Sequence, residues 1–194
     1  ISLVKYNNFD EKPIGSVNVL MLQPELDPYT ETYSKDSLTI LNDLLTLAET
    51  NSKGQIDYYI GPETSIPGFG SISENGFGQS MLLNTVKGFL SRHPESVFAT
   101  GISSHRFYTD ENEKSETAYQ TSEGMYVDSY NSAVQIIPNQ KVEVYHKGKL
   151  VPGVEIFPYI NVLKPLLGDA MLNLGGTTAS LGVDKKRTAF GNPY

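Results

Sequence analysis

The 194-residue chain contains no cysteine. Acting alone, it has no disulfide, no thiolate-ligated zinc and no thiol nucleophile. This absence leaves the redox compartment open, since cytosolic and exported proteins alike can lack cysteine. Histidine is scarce: His93, His105 and His146 stand without metal-binding spacing, so no metal is expected. Basic residues are outnumbered, 15 Lys and Arg against 22 Asp and Glu, for a net charge of −7. Their one tight cluster, Lys185-Lys186-Arg187, falls in a glycine-rich tail. Nucleic-acid backbones demand clustered cations, so no nucleic-acid partner is expected. No apolar run approaches the roughly 18 residues that span a bilayer. The greasiest region, Val162 to Leu174, is broken by Lys164, Pro165 and Asp169. An initiator methionine and a signal-like leader are also missing, so the chain reads as a piece of something longer whose anchoring segments would lie outside it.

What remains is a globular composition, 39% hydrophobic and 19% charged, in a chain long enough to bury a core. Residues 1–16 are polar and read as an irregular linker or leading edge. Residues 17–194 read as one partial domain. Val17 to Gln23, closed by Pro24, suits a buried strand. Leu38, Leu41, Leu45 and Ala48 recur at helical spacing, widened by Leu44 and Leu47, with Ser34 or Asp36 as the candidate cap and Asn51 to Gly54 as the stop. Ile56 to Ile60 is a second strand. A helix follows from about Gln79 to Arg92, with Met81, Leu82, Val86, Phe89 and Leu90 on its apolar face and Pro94 beyond it. Val97 to Ile102 makes a third strand. Strand, helix, strand, helix, strand argues an α/β layer. Residues 103–128 turn polar and read as a surface excursion. Residues 130–137 and 142–145 flank Pro138-Asn139-Gln140-Lys141 and read as a hairpin.

Three charged residues stand in built-looking settings. Glu63 closes the second strand in Tyr59-Ile60-Gly61-Pro62-Glu63-Thr64-Ser65-Ile66-Pro67-Gly68, between two prolines whose fixed φ stiffens the loop. In α/β folds ligands gather outside the carboxyl ends of strands, where Glu63 falls. Lys147 follows the hairpin in Tyr145-His146-Lys147-Gly148-Lys149-Leu150-Val151-Pro152. Glu155 comes eight residues later, in Pro152-Gly153-Val154-Glu155-Ile156-Phe157-Pro158. Taken singly, each is compatible with an ordinary solvated side chain in a turn.

Together these stretches resemble a known family. Gly-Pro-Glu63-Thr-Ser-Ile-Pro is similar to the Trp-Pro-Glu-Thr-x-x-Pro motif of the nitrilase (carbon–nitrogen hydrolase) superfamily, with Gly61 where that family commonly has tryptophan. Tyr130-Asn131-Ser132-Ala133 and Tyr-x-Lys147-x-x-Leu-Val-Pro-x-x-Glu155-x-x-Pro resemble one branch, the apolipoprotein N-acyltransferases of bacterial membranes. The likeness runs from about Val17 to Pro158, with the motifs in the family's order.

The resemblance implies a four-layer α/β/β/α sandwich, incomplete here at its C-terminal side. It implies Glu63 as general base, Lys147 as the cation facing the oxyanion and Glu155 as the supporting carboxylate. The family's cysteine nucleophile is absent, so either it lies outside the chain or the homologue has lost its chemistry; the intact motifs favour the former, and the chain alone is expected to be inactive. No cofactor is implied, because acid–base and nucleophilic chemistry suffice. The implied partners are a phospholipid acyl donor and a lipidated apolipoprotein acceptor at the bacterial inner membrane, with this domain on the periplasmic side. Two other readings remain open: a soluble nitrilase-type amidase, and a catalytically dead binding domain of the same fold. Residues 68–80 and 153–168 are candidate lipid-facing arms.

Overall fold

Two capped helices lie on one face of a mixed sheet, and the loops at the ends of its strands carry the charged residues. The computed structural model describes residues 2–8, 15–25, 35–66, 72–115, 117–152, 155 and 181–191. The strands are β1 (Val19–Met21), β2 (Tyr58–Ile60), β3 (Ile72–Ser73), β4 (Val97–Tyr108), β5 (Tyr119–Gln120), β6 (Tyr126–Ile136) and β7 (Glu143–His146). The helices are α1 (Ser2–Asn7), α2 (Ser37–Asn51) and α3 (Met81–Leu90). β1, β2 and β4 run parallel; β6 joins β4 antiparallel and is itself flanked by β5 and β7, while β3 pairs in parallel with the far half of β4.

The sequence explains both helices. Asp36 caps α2, its Oδ1 accepting from the backbone N–H groups of Leu38 and Thr39 at 3.0 Å each, which satisfies two donors that the first turn leaves unpaired. Ile40, Leu41, Leu44, Leu45 and Ala48 then face the sheet. Ser80 caps α3 through Leu83 N at 3.1 Å. Leu83, Val86, Phe89 and Leu90 are buried, whereas Met81 is 67% exposed. Met81 was expected on the apolar face, but it lies five positions before Val86, about 140° round the helix at 3.6 residues per turn. Together with Leu22, Tyr59, Phe98, Ile102, Val134 and Ile136, these side chains form the core.

Several expectations change. Residues 2–7, expected to be irregular, form the short helix α1, with Leu3, Val4 and Tyr6 exposed. The expected buried strand at 17–23 is an edge strand of three residues with Met21 79% exposed. Its register sets Met21 beside Ile60, on the face away from Tyr59 and the helices. The largest change concerns residues 103–128. β4 continues to Tyr108, paired with β6 from Phe98↔Ile136 to Tyr108↔Tyr126, and the mostly exposed segment between them returns to the sheet at β5. Ser104 and Asp128 are polar yet buried, each hydrogen-bonded to other side chains, whereas Arg106 reaches the surface. The hairpin forms as expected, with Asn139 at φ 61° in the left-handed region that asparagine tolerates. The apolar run 162–174, residues 67–71 and the second candidate arm apart from Glu155 lie outside the described residues. The described part of the first arm, 72–80, does not face outward as expected but packs Ile72 and Phe77 into the core.

Candidate active site

Glu63 owes its position to a mismatch in pairing. Ile60 lies opposite Ala99, and Ile66 opposite Ile102. One chain therefore advances six residues while β4 advances three, and the surplus arches out of the sheet carrying Glu63 at its crest. The arch is tied down at its feet. Gly61 N donates to Ala99 O (2.8 Å), Gly101 N donates to Pro62 O (3.1 Å), and Ser65 Oγ bonds the Thr100 hydroxyl and donates to Gly101 O (3.2 Å). Thr64 takes φ 51°, a left-handed conformation that costs a non-glycine residue strain. Gly101 is where the arch touches the sheet. A Cβ there would meet Thr64 N at 2.5 Å and Glu63 Cα and Pro62 O at 2.8 Å, so any other residue pushes the loop away. Gly61 is equally confined against Thr100 and Ser65. Where the family resemblance has tryptophan, this chain has no room for a side chain.

Lys147 follows β7, its backbone N donating to Asn131 O at 2.8 Å. Alternation along the hairpin sends Tyr145 and Lys147 to one face and His146 to the other. Glu155 is held by a reciprocal clasp: its N donates to Val151 O (2.9 Å) and its Oε2 accepts from Val151 N (2.7 Å). That leaves Oε1 to face Lys147.

The three residues named from the sequence converge. Lys147 Nζ donates to Glu63 Oε1 at 2.7 Å and to Glu155 Oε1 at 3.1 Å. Asn131, for which the sequence suggested no role, sits between the same two carboxylates. Its Nδ2 donates to Glu63 Oε1 at 2.6 Å and to Glu155 Oε1 at 2.8 Å. The signal for it was present: extending the Ala133↔Tyr145 pairing by one step on the same face sets Asn131 opposite Lys147.

Two acids, one ammonium and one amide form a cluster of net charge −1 with unequal exposure. Glu63 is 61% exposed at its side chain, whereas Glu155 is 13% exposed. The hydrogen bond from Lys147, then that from Asn131, holds the Glu63 carboxyl below the usual range, against burial and the charge of Glu155. Burial presses the Lys147 ammonium down, but the bonds and charges of Glu63 and Glu155 outweigh it and lift it above the usual lysine value. Burial pushes Glu155 up, and Asn131, Val151 N and Lys147 together hold it down. All three are therefore charged at neutral pH. A cavity of 370 Å³ is lined by Glu63, Asn131 and Lys147 together with the apolar surfaces of Ile60, Ala133 and Phe190. The arrangement presents an accessible carboxylate and a fixed cation at the edge of an apolar hollow. It can accept a proton and stabilise a developing oxyanion.

Among the described residues, no group of three or more His, Cys, Asp or Glu is arranged to hold a metal ion, and no helix is long and apolar enough to cross a membrane. His93 packs against Phe89 and Tyr59, and His105 against Phe107. His146 enters a network discussed below.

No family model matches the chain, and no curated protein matches it. Among solved structures it aligns with the glutamine-dependent NAD+ synthetase of Acinetobacter baumannii in complex with adenosine diphosphate, at 17% identity and a TM-score of 0.47. The alignment covers 93% of this chain and 26% of that one.

Proposed function

We propose that this chain is part of the catalytic domain of an apolipoprotein N-acyltransferase, with its nucleophilic cysteine carried outside the 194 residues. The observation that carries the reading is the convergence of Glu63 and Lys147, 84 residues apart in sequence and 2.7 Å apart in space. Their motif resemblance supplies the reaction class. A four-layer sandwich is part of the proposal, supported by the sheet's second face, where Val19, Met21 and Ile60 stay exposed opposite the helices.

In this reading the cysteine thiol gives its proton to Glu63, and the thiolate attacks the ester carbonyl of a phospholipid. The Lys147 ammonium stabilises the tetrahedral oxyanion as its charge develops. Collapse expels the lysophospholipid oxygen, which takes the proton back from Glu63, and leaves a thioester. The α-amine of the lipidated cysteine then attacks, Glu63 receives its proton, and the amide forms as the thiolate leaves and is reprotonated. Glu63 is a weak base while paired with Lys147, and a thiol near pKa 8.5 is a weak acid. The same ammonium closes that gap by favouring the thiolate. Glu155 keeps Lys147 charged and fixed in direction, since an opposite charge offsets desolvation.

The test uses the full-length gene product in detergent micelles, with phosphatidylethanolamine as donor and a diacylglyceryl-cysteine peptide as acceptor. The expected result is a thioester on the enzyme, N-acylated peptide, and at least a ~100-fold loss on Glu63→Gln, the scale of a lost general base. Hydrolysis of short amides without acyl transfer would assign the soluble amidase instead. No turnover of either kind would leave a binding domain and overturn the proposal.

A further inference from the structure

The second titratable cluster lies across the sheet from the first and is joined to it through consecutive residues of one strand. His146 is 6% exposed at its side chain and has a carboxylate on each ring nitrogen. Nε2 lies 2.7 Å from Glu74 Oε1, in the turn after β3, and Nδ1 lies 3.0 Å from Asp184 Oδ1. The Tyr130 ring stacks on the imidazole at 4.0 Å between centroids. A neutral imidazole has one donor and one acceptor, and two carboxylates offer only acceptors. Only the imidazolium satisfies both neighbours.

Asp184 belongs to a segment that acts as a strap. Residues 181–191 run along the outer edge of β7 and are fastened at four points. Leu181 N donates to Glu155 O (3.0 Å), Gly182 N to Ser129 O (2.8 Å), His146 N to Asp184 Oδ2 (3.1 Å), and Gly191 N to Glu143 Oε2 (3.0 Å). The strap thus holds the backbone of Glu155 at one end and, near the other, sets Phe190 into the wall of the candidate site's cavity. Its side-chain anchor in between is His146, the residue before Lys147.

We propose that His146 is a positioning residue for the Lys147–Glu155 pair: as an imidazolium between Glu74 and Asp184 it pins the end of β7 and the strap together, and loss of its proton breaks the ring contact to Asp184, leaves that carboxylate the His146 backbone N–H alone, and loosens both. The inference rests on the reading of Lys147 and Glu155 as acyl-transfer machinery. It is Asp184 that lets go, being 37% exposed where Glu74 is 12% exposed and additionally held by Ser104 Oγ (2.6 Å) and Arg106 (2.9 Å).

The remaining charged and titratable neighbours are Tyr130, Arg106 and Asp128. Burial and the Asp128 and Tyr108 contacts push the Tyr130 phenol up, so it stays neutral. Arg106, over the Tyr130 ring and paired with Glu74, stays charged, burial being outweighed by Glu74. Asp128, 0% exposed behind Tyr130, is bound by the hydroxyls of Ser115, Thr117 and Tyr130. Burial works to lower the His146 pKa, but the bonds and charges of Glu74 and Asp184 raise it above the ordinary value. The release therefore falls above the ordinary histidine value.

Heteronuclear NMR of the 194-residue chain tests this without any acyl transfer. The His146 ring, the Lys147 side chain and the Glu155 carboxyl carbon are followed as pH rises through and beyond neutrality. All three are expected to move with one shared midpoint above the ordinary histidine value of about 6.5. Asp184→Asn, at the more exposed partner and therefore tolerable to the fold, is expected to shift that midpoint to lower pH for all three. His146→Gln is expected to abolish the transition at Lys147 and Glu155. A His146 titration that leaves Lys147 and Glu155 unmoved, or a midpoint indifferent to Asp184→Asn, would overturn the proposal and leave the imidazole a structural group. A shared midpoint in a protein that transfers no acyl chain would defeat the functional reading alone. Acyl transfer without a shared midpoint would defeat this inference alone.

Discussion

The two faces of the sheet at β7 carry opposite kinds of charge cluster. Above it, Lys147 meets Glu63, 61% exposed at its side chain, beside an open cavity. Below it, His146 meets Glu74 with both largely buried, and Ser104, Ser132, Tyr130 and Asp128 complete the lower network through hydroxyls. The same physics gives them different roles. A buried ion pair must have every partner in place, because an unpaired buried charge is expensive. An exposed one contributes little to stability, since water competes for it. The lower cluster therefore suits holding the frame, and the upper one is left free to change partners with a substrate.

The largest expected effect separates the two faces by activity. In the full-length product, Lys147→Met should lower acyl transfer by about three orders of magnitude, the scale of a lost oxyanion donor. Its unfolding free energy in the 194-residue chain should change by about 1–2 kcal/mol, because the exposed Glu63 contact contributes little while the less exposed Glu155 loses its cation. Urea denaturation beside an acyl-transfer assay reads both numbers, and a large stability loss would erase the contrast between the faces.

Next comes Glu74→Gln, which breaks the lower pair from inside. A buried imidazolium left with Asp184 as its one carboxylate partner should cost up to about 3 kcal/mol, read as a shift in the urea midpoint. The pH dependence has a definite sign. Burial works to raise Glu74, yet the His146 and Ser104 bonds and the charges of His146 and Arg106 hold it down. Glu63, Glu74 and Glu155 thus contribute stability that is present above the ordinary carboxylate range and lost as pH falls through their lowered values. His146 contributes stability that is complete below about 6.5 and lost as pH rises through its raised value. Midpoints measured across pH should trace a plateau, and Glu74→Gln should flatten its alkaline shoulder.

Smaller in stability than Glu74→Gln, and selective for the arch, is Gly101→Ala. The added Cβ meets the backbone of residues 62–64 and must displace the arch. An overpacking cost of about 1–2 kcal/mol is expected, with a loss of about 100-fold in acyl transfer, because misplacing the base by about 1 Å is enough. Equal activity in the Gly101→Ala protein would show that Glu63 does not need its crest position.

Much of this was legible in the chain, and the failures are instructive. The α2 cap at Asp36, the apolar stripe of α2 and the hairpin were readable because each is set within a few residues. Met81 was misassigned by spacing loosely counted, and 103–108 with 126–128 by taking polarity for exposure. Ser104 and Asp128 looked like surface residues because sequence shows polarity but not who satisfies it. Glu74 drew no attention for the same reason. Its partners His146, Arg106 and Ser104 are distant in sequence and meet only once β3 lies along β4.

The sequence by itself determined the α/β character, a helix capped at Ser34 or Asp36 and another starting near Gln79, and the identity of the acid and ammonium worth watching, since these rest on periodicity, capping and local motif. Only the tertiary structure decided that Glu63 rides on a three-residue surplus above Gly101, that Asn131 bridges both carboxylates, and that adjacent residues His146 and Lys147 serve opposite faces. The reason is that pairing register and side-chain direction are properties of neighbouring strands, which no single stretch of chain contains.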